Sequence, residues 1–179
     1  MTSRKITSVP LLLLLLALAA AIANAQAQFA ITSSSFPPNG PIGATFTCSG
    51  ANHSPALSWS GAPGTTGSFA LILEDPDAPR GTFIHWVAYN LPSSMTGLRE
   101  SAPKSATLAD GGMQGVNGLG QIGYYGPCPP PGKVHHYHFR LFALDSTLSL
   151  APGADASALE SAMKGRVIAS GELVGTYSR

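Results

Sequence analysis

Glycine and proline punctuate this chain so densely that a turn-rich, strand-dominated fold is favoured over a helical bundle. The 179 residues hold 20 glycines and 15 prolines, and between them lie short apolar runs of strand length. Glycine supplies the backbone conformations that turns need, while proline fixes φ and removes a donor. Such a chain folds as short strands joined by tight turns around one core. Its length suits a single domain.

The runs place the strands. Phe29–Ile31 begins an edge strand, and Thr45-Phe46-Thr47-Cys48 reads as a strand ending at Ser49-Gly50. Leu57-Ser58-Trp59 alternates, so Leu57 and Trp59 share a buried face. Phe69–Leu73 is continuously apolar and reads as a central strand covered on both faces. Phe83–Tyr89, Tyr137–Leu144 and Val167–Tyr177 supply the remaining strands. Residues 93–123, rich in Ser, Gly and Ala, read as a long surface excursion. A loop of that length in a compact domain tends to be functional. Asp155–Lys164 reads as a helix capped by Asp155 or Ser157, with Glu160 placed to close a capping box on Ser157. Leu159 and Met163 form its buried stripe and Gly165 ends it.

The N-terminus reads as a signal peptide over residues 1–25. Arg4 and Lys5 precede the apolar stretch that opens at Leu11–Leu16, and Ala23-Asn24-Ala25 or Ala25-Gln26-Ala27 offers the cleavage site. Residues 26–179 then form the single domain, exported to a periplasmic or extracellular space. Removing Arg4 and Lys5 from the 10 basic residues leaves 8 against 9 acids, a net charge near −1. That balance argues against nucleic acid as a partner and against tight electrostatic attachment to an anionic membrane. Only 11% of residues are charged, which is compatible with self-association into a homodimer. After export, Cys48 and Cys128 either form one disulfide or remain two buried thiols.

Chemistry concentrates in two proline-rich segments. Asp75-Pro76-Asp77-Ala78-Pro79 follows the central strand, and Gly126-Pro127-Cys128-Pro129-Pro130 leads into His135-His136-Tyr137. Asp75 and Asp77, two apart, project to one side of an extended chain, where one carboxyl would stay protonated and donate; taken alone, Asp75 reads instead as an Asx-type turn with Pro76 and Pro79. His85 interrupts an apolar strand that follows directly. His135 and Tyr137 share one strand face as a pocket wall, whereas His136, His138 and Arg140 share the solvent face. Two imidazoles without a nearby third ligand make a poor metal site, so neither metal nor cofactor is expected. No G-x-S-x-G, phosphate-binding glycine loop or H-E-x-x-H occurs, so a binding protein is expected rather than an enzyme. A Cys128 nucleophile or an aspartate-pair glycosidase are the weaker enzymatic readings.

These segments resemble the phosphatidylethanolamine-binding protein family, in particular its bacterial Raf-kinase-inhibitor-like branch. The resemblance starts near Phe36-Pro37-Pro38. It includes Cys48-Ser49-Gly50, Leu73 to Pro79, His85 to Asn90, Gly126 to Pro130, His135 to Tyr137, Leu141 to Asp145 and Leu173 to Tyr177. It implies an antiparallel β-sandwich of Greek-key type with one or two peripheral helices and a small anion pocket at the sheet ends. Asp75, Asp77 and His85 match the first box of that pocket; Gly126, Pro127, His135 and Tyr137 match the second. The family's pocket accepts phosphate-like head groups or phosphorylated side chains, and members modulate or inhibit kinases or proteases. The family commonly has arginine where this chain has His136, and the C-terminal helix of animal members is absent after Tyr177. The resulting expectation is an exported binder of a small phosphate- or carboxylate-containing ligand or phospholipid head group, tightening as histidines protonate between about pH 5 and 8. The alternative is a protease- or kinase-inhibitor module whose protein partner docks on the 93–123 loop, with a vestigial pocket.

Overall fold

A computed structural model describes residues 28–179; the signal peptide read from residues 1–25 lies outside them. The strands are β1 (Ala30–Thr32), β2 (Gly40–Pro41), β3 (Leu57–Ser60), β4 (Ser68–Asp75), β5 (Phe83–Pro92), β6 (Gly97–Leu98), β7 (Met113–Gln114), β8 (His135–Leu144) and β9 (Val167–Tyr177). Among the described residues, one α-helix, α1 (Ala156–Met163), lies between the last two strands. A six-stranded sheet runs β2-β9-β8-β4-β5-β7, and a three-stranded sheet runs β1-β3-β6. Pairing is antiparallel except between β2 and β9.

Strand β4 is apolar from Phe69 to Leu73 because that stretch is covered on both faces. Phe69, Leu71 and Leu73 join the core shared with Leu57 and Trp59 of the small sheet. Ala70 and Ile72 point the other way, into a second core with Leu159 and Met163 of α1. The same alternation runs along β8, where Tyr137, Phe139 and Leu141 face the first core and Leu144 the second. The large sheet is thus the middle layer, between the small sheet and the helix. Asp155 caps α1 by accepting the Ala158 N–H at 2.8 Å. The expected Ser157–Glu160 box does not form; Glu160 lies 4.0 Å from Arg140 instead. Gly165, at φ 74°, ends the helix.

Two segments differ from expectation. Thr45–Cys48 is not a strand: a 3-10 turn spans Ala44–Phe46. The Ala44 carbonyl accepts both the N–H and the hydroxyl of Thr47, at 3.0 and 2.9 Å. A threonine hydroxyl that serves the local backbone competes with strand pairing. Residues 93–123 are not a loose excursion either. They contribute β6 to the small sheet and β7 to the edge of the large one. Gln114, fully buried, accepts the Trp86 indole N–H at 2.7 Å and donates to the Pro103 and Ser105 carbonyls. Buried amides do the anchoring that apolar side chains would otherwise supply, which is why a hydrophobicity reading overlooks them.

Candidate functional site

Antiparallel pairing gathers the C-terminal end of β4 with the N-terminal ends of β5 and β8. Asp75, His85 and His135 therefore meet at one edge of the large sheet, each about 3% exposed. They line a cavity of ≈ 380 Å³ together with Arg80, Phe83, Tyr125, Cys128, Pro129 and Pro130. Leu119, half-exposed, adds an apolar lip. The cup has a polar floor and a wall of rings.

Each histidine is oriented through Nδ1. His135 Nδ1 donates to Asp75 Oδ2 at 2.8 Å. His85 Nδ1 donates to the Tyr125 carbonyl at 2.7 Å, while Tyr125 N–H donates back to the His85 carbonyl at 2.9 Å. Phe83 and Tyr137 meet the His85 ring edge-on, and Tyr125 stacks parallel to it at 5.9 Å. Burial pushes the His85 pKa down to about 4, with the Tyr125 carbonyl and the Asp75 charge opposing less strongly. His85 is therefore neutral across the range in which an ordinary histidine titrates, and the expected tightening between about pH 5 and 8 moves, for this residue, to more acid conditions.

Tyr137 is wholly buried, and its hydroxyl has no hydrogen-bond partner. Burial is the main cause of its raised pKa, and the nearby Asp75 charge adds to it. An unpaired hydroxyl this deep is costly unless something completes it.

The two carboxylates do not form a pair sharing one proton. Asp75 Oδ1 accepts the Asp77 N–H at 2.9 Å, which turns the chain outward. Asp77 then lies on the outer side, where Oδ2 accepts both the N–H and Nδ1–H of His136 at 2.8 Å. These bonds hold its carboxyl below the usual range. The extended-chain spacing failed because Pro76 and Asp77 form a turn rather than continuing β4.

Gly126 and Pro127 sit behind the cup wall. Gly126 N–H donates to Asn52 Oδ1 at 2.6 Å, and a Cβ there would meet the Phe46 carbonyl oxygen at 2.4 Å. Their role is to let the wall approach the 3-10 turn. Cys48 and Cys128 form a disulfide, with Cα atoms 5.4 Å apart, so Cys128 has no free thiol to act as a nucleophile. His138 faces Glu172 at 3.0 Å on the solvent side of the sheet. Among the described residues, no group of three or more His, Cys, Asp or Glu side chains is placed to hold a metal.

The sequence reading missed Arg80, Phe83 and Tyr125 as cup residues. Arg80 and Phe83 follow the Asp75–Pro79 box directly, which was a usable signal. Tyr125, 40 positions beyond His85, offered none.

The whole domain has known counterparts. A family model described as phosphatidylethanolamine-binding protein matches residues 32–178. A UPF0098 protein of Methanothermobacter thermautotrophicus is 48% identical over 149 residues, covering 83% of this chain and 98% of its own. Another, from Pyrococcus horikoshii, is 49% identical over 150 residues, covering 82% of this chain and 75% of its own. Among solved structures, a phosphatidylethanolamine-binding protein homologue from Chlamydia trachomatis superposes with TM-score 0.78 at 39% identity, covering 85% of this chain and 98% of that one. The E. coli protein YbcL, described as a member of the mammalian family, gives TM-score 0.80 at 32% identity, covering 86% and 99%. With the match running from β1 to the end of β9 and so spanning both sheets and the cup, this chain belongs to the phosphatidylethanolamine-binding protein family.

Proposed function

We propose that this protein is an exported, non-enzymatic binding module whose cup holds one small anionic group, of the phosphate or carboxylate kind, free or as a head group. The observation that carries this reading is the convergence of Asp75, His85 and His135 on one ≈ 380 Å³ cavity with Arg80 in its lining. Such a cavity has room for a small polar group and is too small to enclose a whole lipid. Arg80 supplies a fixed positive charge in that lining. The Cys48–Cys128 disulfide supports export, because such bonds persist in oxidising compartments.

Titration calorimetry with inorganic phosphate and with phosphorylethanolamine tests the reading. Binding of either is expected, weakened about 10-fold or more by Arg80→Ala, which removes the fixed positive charge from the lining. Absence of heat with both compounds would overturn it. N-terminal sequencing of the exported protein is expected to begin at Gln26 or Gln28.

A further inference from the structure

The floor of the cup carries a hydrogen-bond acceptor where an anion site ordinarily carries donors. The Tyr125 carbonyl oxygen can only accept, so the proton of the neutral His85 ring sits on Nδ1, 2.7 Å away. Nε2 is then a bare lone pair. His85 lines the cavity and its Nδ1 is engaged, so Nε2 is the ring nitrogen left to meet a ligand. Moving the proton to Nε2 would break the Tyr125 bond and set the Nδ1 lone pair against the carbonyl oxygen.

The charged and titratable groups facing this ring do not undo that arrangement. From β4, Asp75 favours the imidazolium, but its Oδ2 is already held by His135. From β8, His135 opposes the imidazolium and Tyr137 presents an edge. The loop contributes the Tyr125 and Gly126 backbone, which favours the charged ring less strongly than burial opposes it, and Arg80 belongs to the same cavity lining. Burial, the dominant influence, keeps the ring neutral.

Resting on the anion-binding reading above, we propose that the cup selects a tetrahedral oxyanion that carries its own proton, and so takes phosphate in preference to sulfate. A P–OH group donates its hydrogen to His85 Nε2 while its remaining oxygens accept from Arg80 in the same lining. Sulfate has nearly the same shape and brings only lone pairs, so one of its oxygens would face the Nε2 lone pair. A site built around a hydrogen bond rejects the isostere that cannot make it, because its polar group is left unpaired. No heavy-atom bond forms or breaks; one proton is shared between oxygen and nitrogen.

Titration calorimetry of the mature protein with sodium phosphate and sodium sulfate, at neutral pH and near the His85 pKa of about 4, decides the matter. At neutral pH phosphate is expected to bind about 10- to 100-fold tighter than sulfate. As the pH falls towards about 4, the ring gains a proton, Nε2 becomes a donor, and the gap closes through stronger sulfate binding. His85→Gln, which can turn an amide N–H toward the ligand, narrows the gap at neutral pH; a thermal melt confirms its folding. Equal affinities at neutral pH, or a gap unchanged in acid, overturn the selection while leaving anion binding standing. Failure of both anions to bind at either pH removes the anion-binding reading together with it.

Discussion

Asp75 and Asp77 have the same side chain and sit two residues apart, yet each is paired with a histidine in a different environment. Asp75 and His135 are buried together, whereas Asp77 and His136 are about half exposed. Removing His135 leaves a buried carboxylate short of a partner, so His135→Ala is expected to cost about 3 to 5 kcal/mol. His136→Ala should cost less than about 1 kcal/mol, because water screens and replaces the exposed pair. Urea unfolding of the two variants checks the contrast. His85 adds a pH dependence of definite sign. Its folded pKa of about 4 lies below the ordinary 6.5, so between these values the unfolded chain binds the proton that the folded one refuses. Its contribution is complete above pH 6.5 and is lost as pH falls towards 4, amounting to about 3 kcal/mol. Urea midpoints across that range should fall with pH, and His85→Gln should flatten this part of the profile.

The elements show how a polar loop becomes part of a sheet. Residues 93–123 have few apolar anchors, and Gln114 takes their place by bonding Trp86, Pro103 and Ser105 at once. The neighbouring chain also runs along β5: Gly115 N–H donates to the Val87 carbonyl at 2.9 Å and Gly118 N–H to that of Ile84 at 2.7 Å. This continues to Tyr125, which orients His85, so the loop and the cup are mechanically linked. Gln114→Ala leaves one indole donor and two carbonyls unpaired in the interior, costing about 3 kcal/mol or more. Hydrogen exchange should rise across residues 103–117 in that variant, and a uniform profile would refute the anchoring role.

Across the whole molecule, the cup exists only because chain segments far apart in sequence are tied at one end of the large sheet. The disulfide closes a loop of 80 residues and pins the Cys128 wall to the 3-10 turn region. Closing so long a loop in the unfolded chain is worth about 4 kcal/mol. Reduction, or the double substitution Cys48→Ser with Cys128→Ser, should lower urea stability by that order. Phosphate affinity should fall as well, since Cys128 belongs to the cup wall.

Much of this architecture was legible residue by residue. Runs with one face or two faces apolar specify strands through a local steric period, so β3, β4, β5, β8 and β9 follow from Leu57-Ser58-Trp59, Phe69–Leu73 and their counterparts. The helix and its stop at Gly165 are equally local. The two proline boxes also marked the right neighbourhood, because Asp75, His85 and His135 do line one cavity. What remained hidden depends on which atom meets which. Thr47 could pair as a strand or serve the Ala44 carbonyl, and local preference did not separate the two. The Tyr125 carbonyl that fixes the His85 tautomer and the choice of disulfide over two thiols are set by contacts across 40 to 80 residues. Such contacts obey the register of paired strands, which no periodicity along a single strand contains.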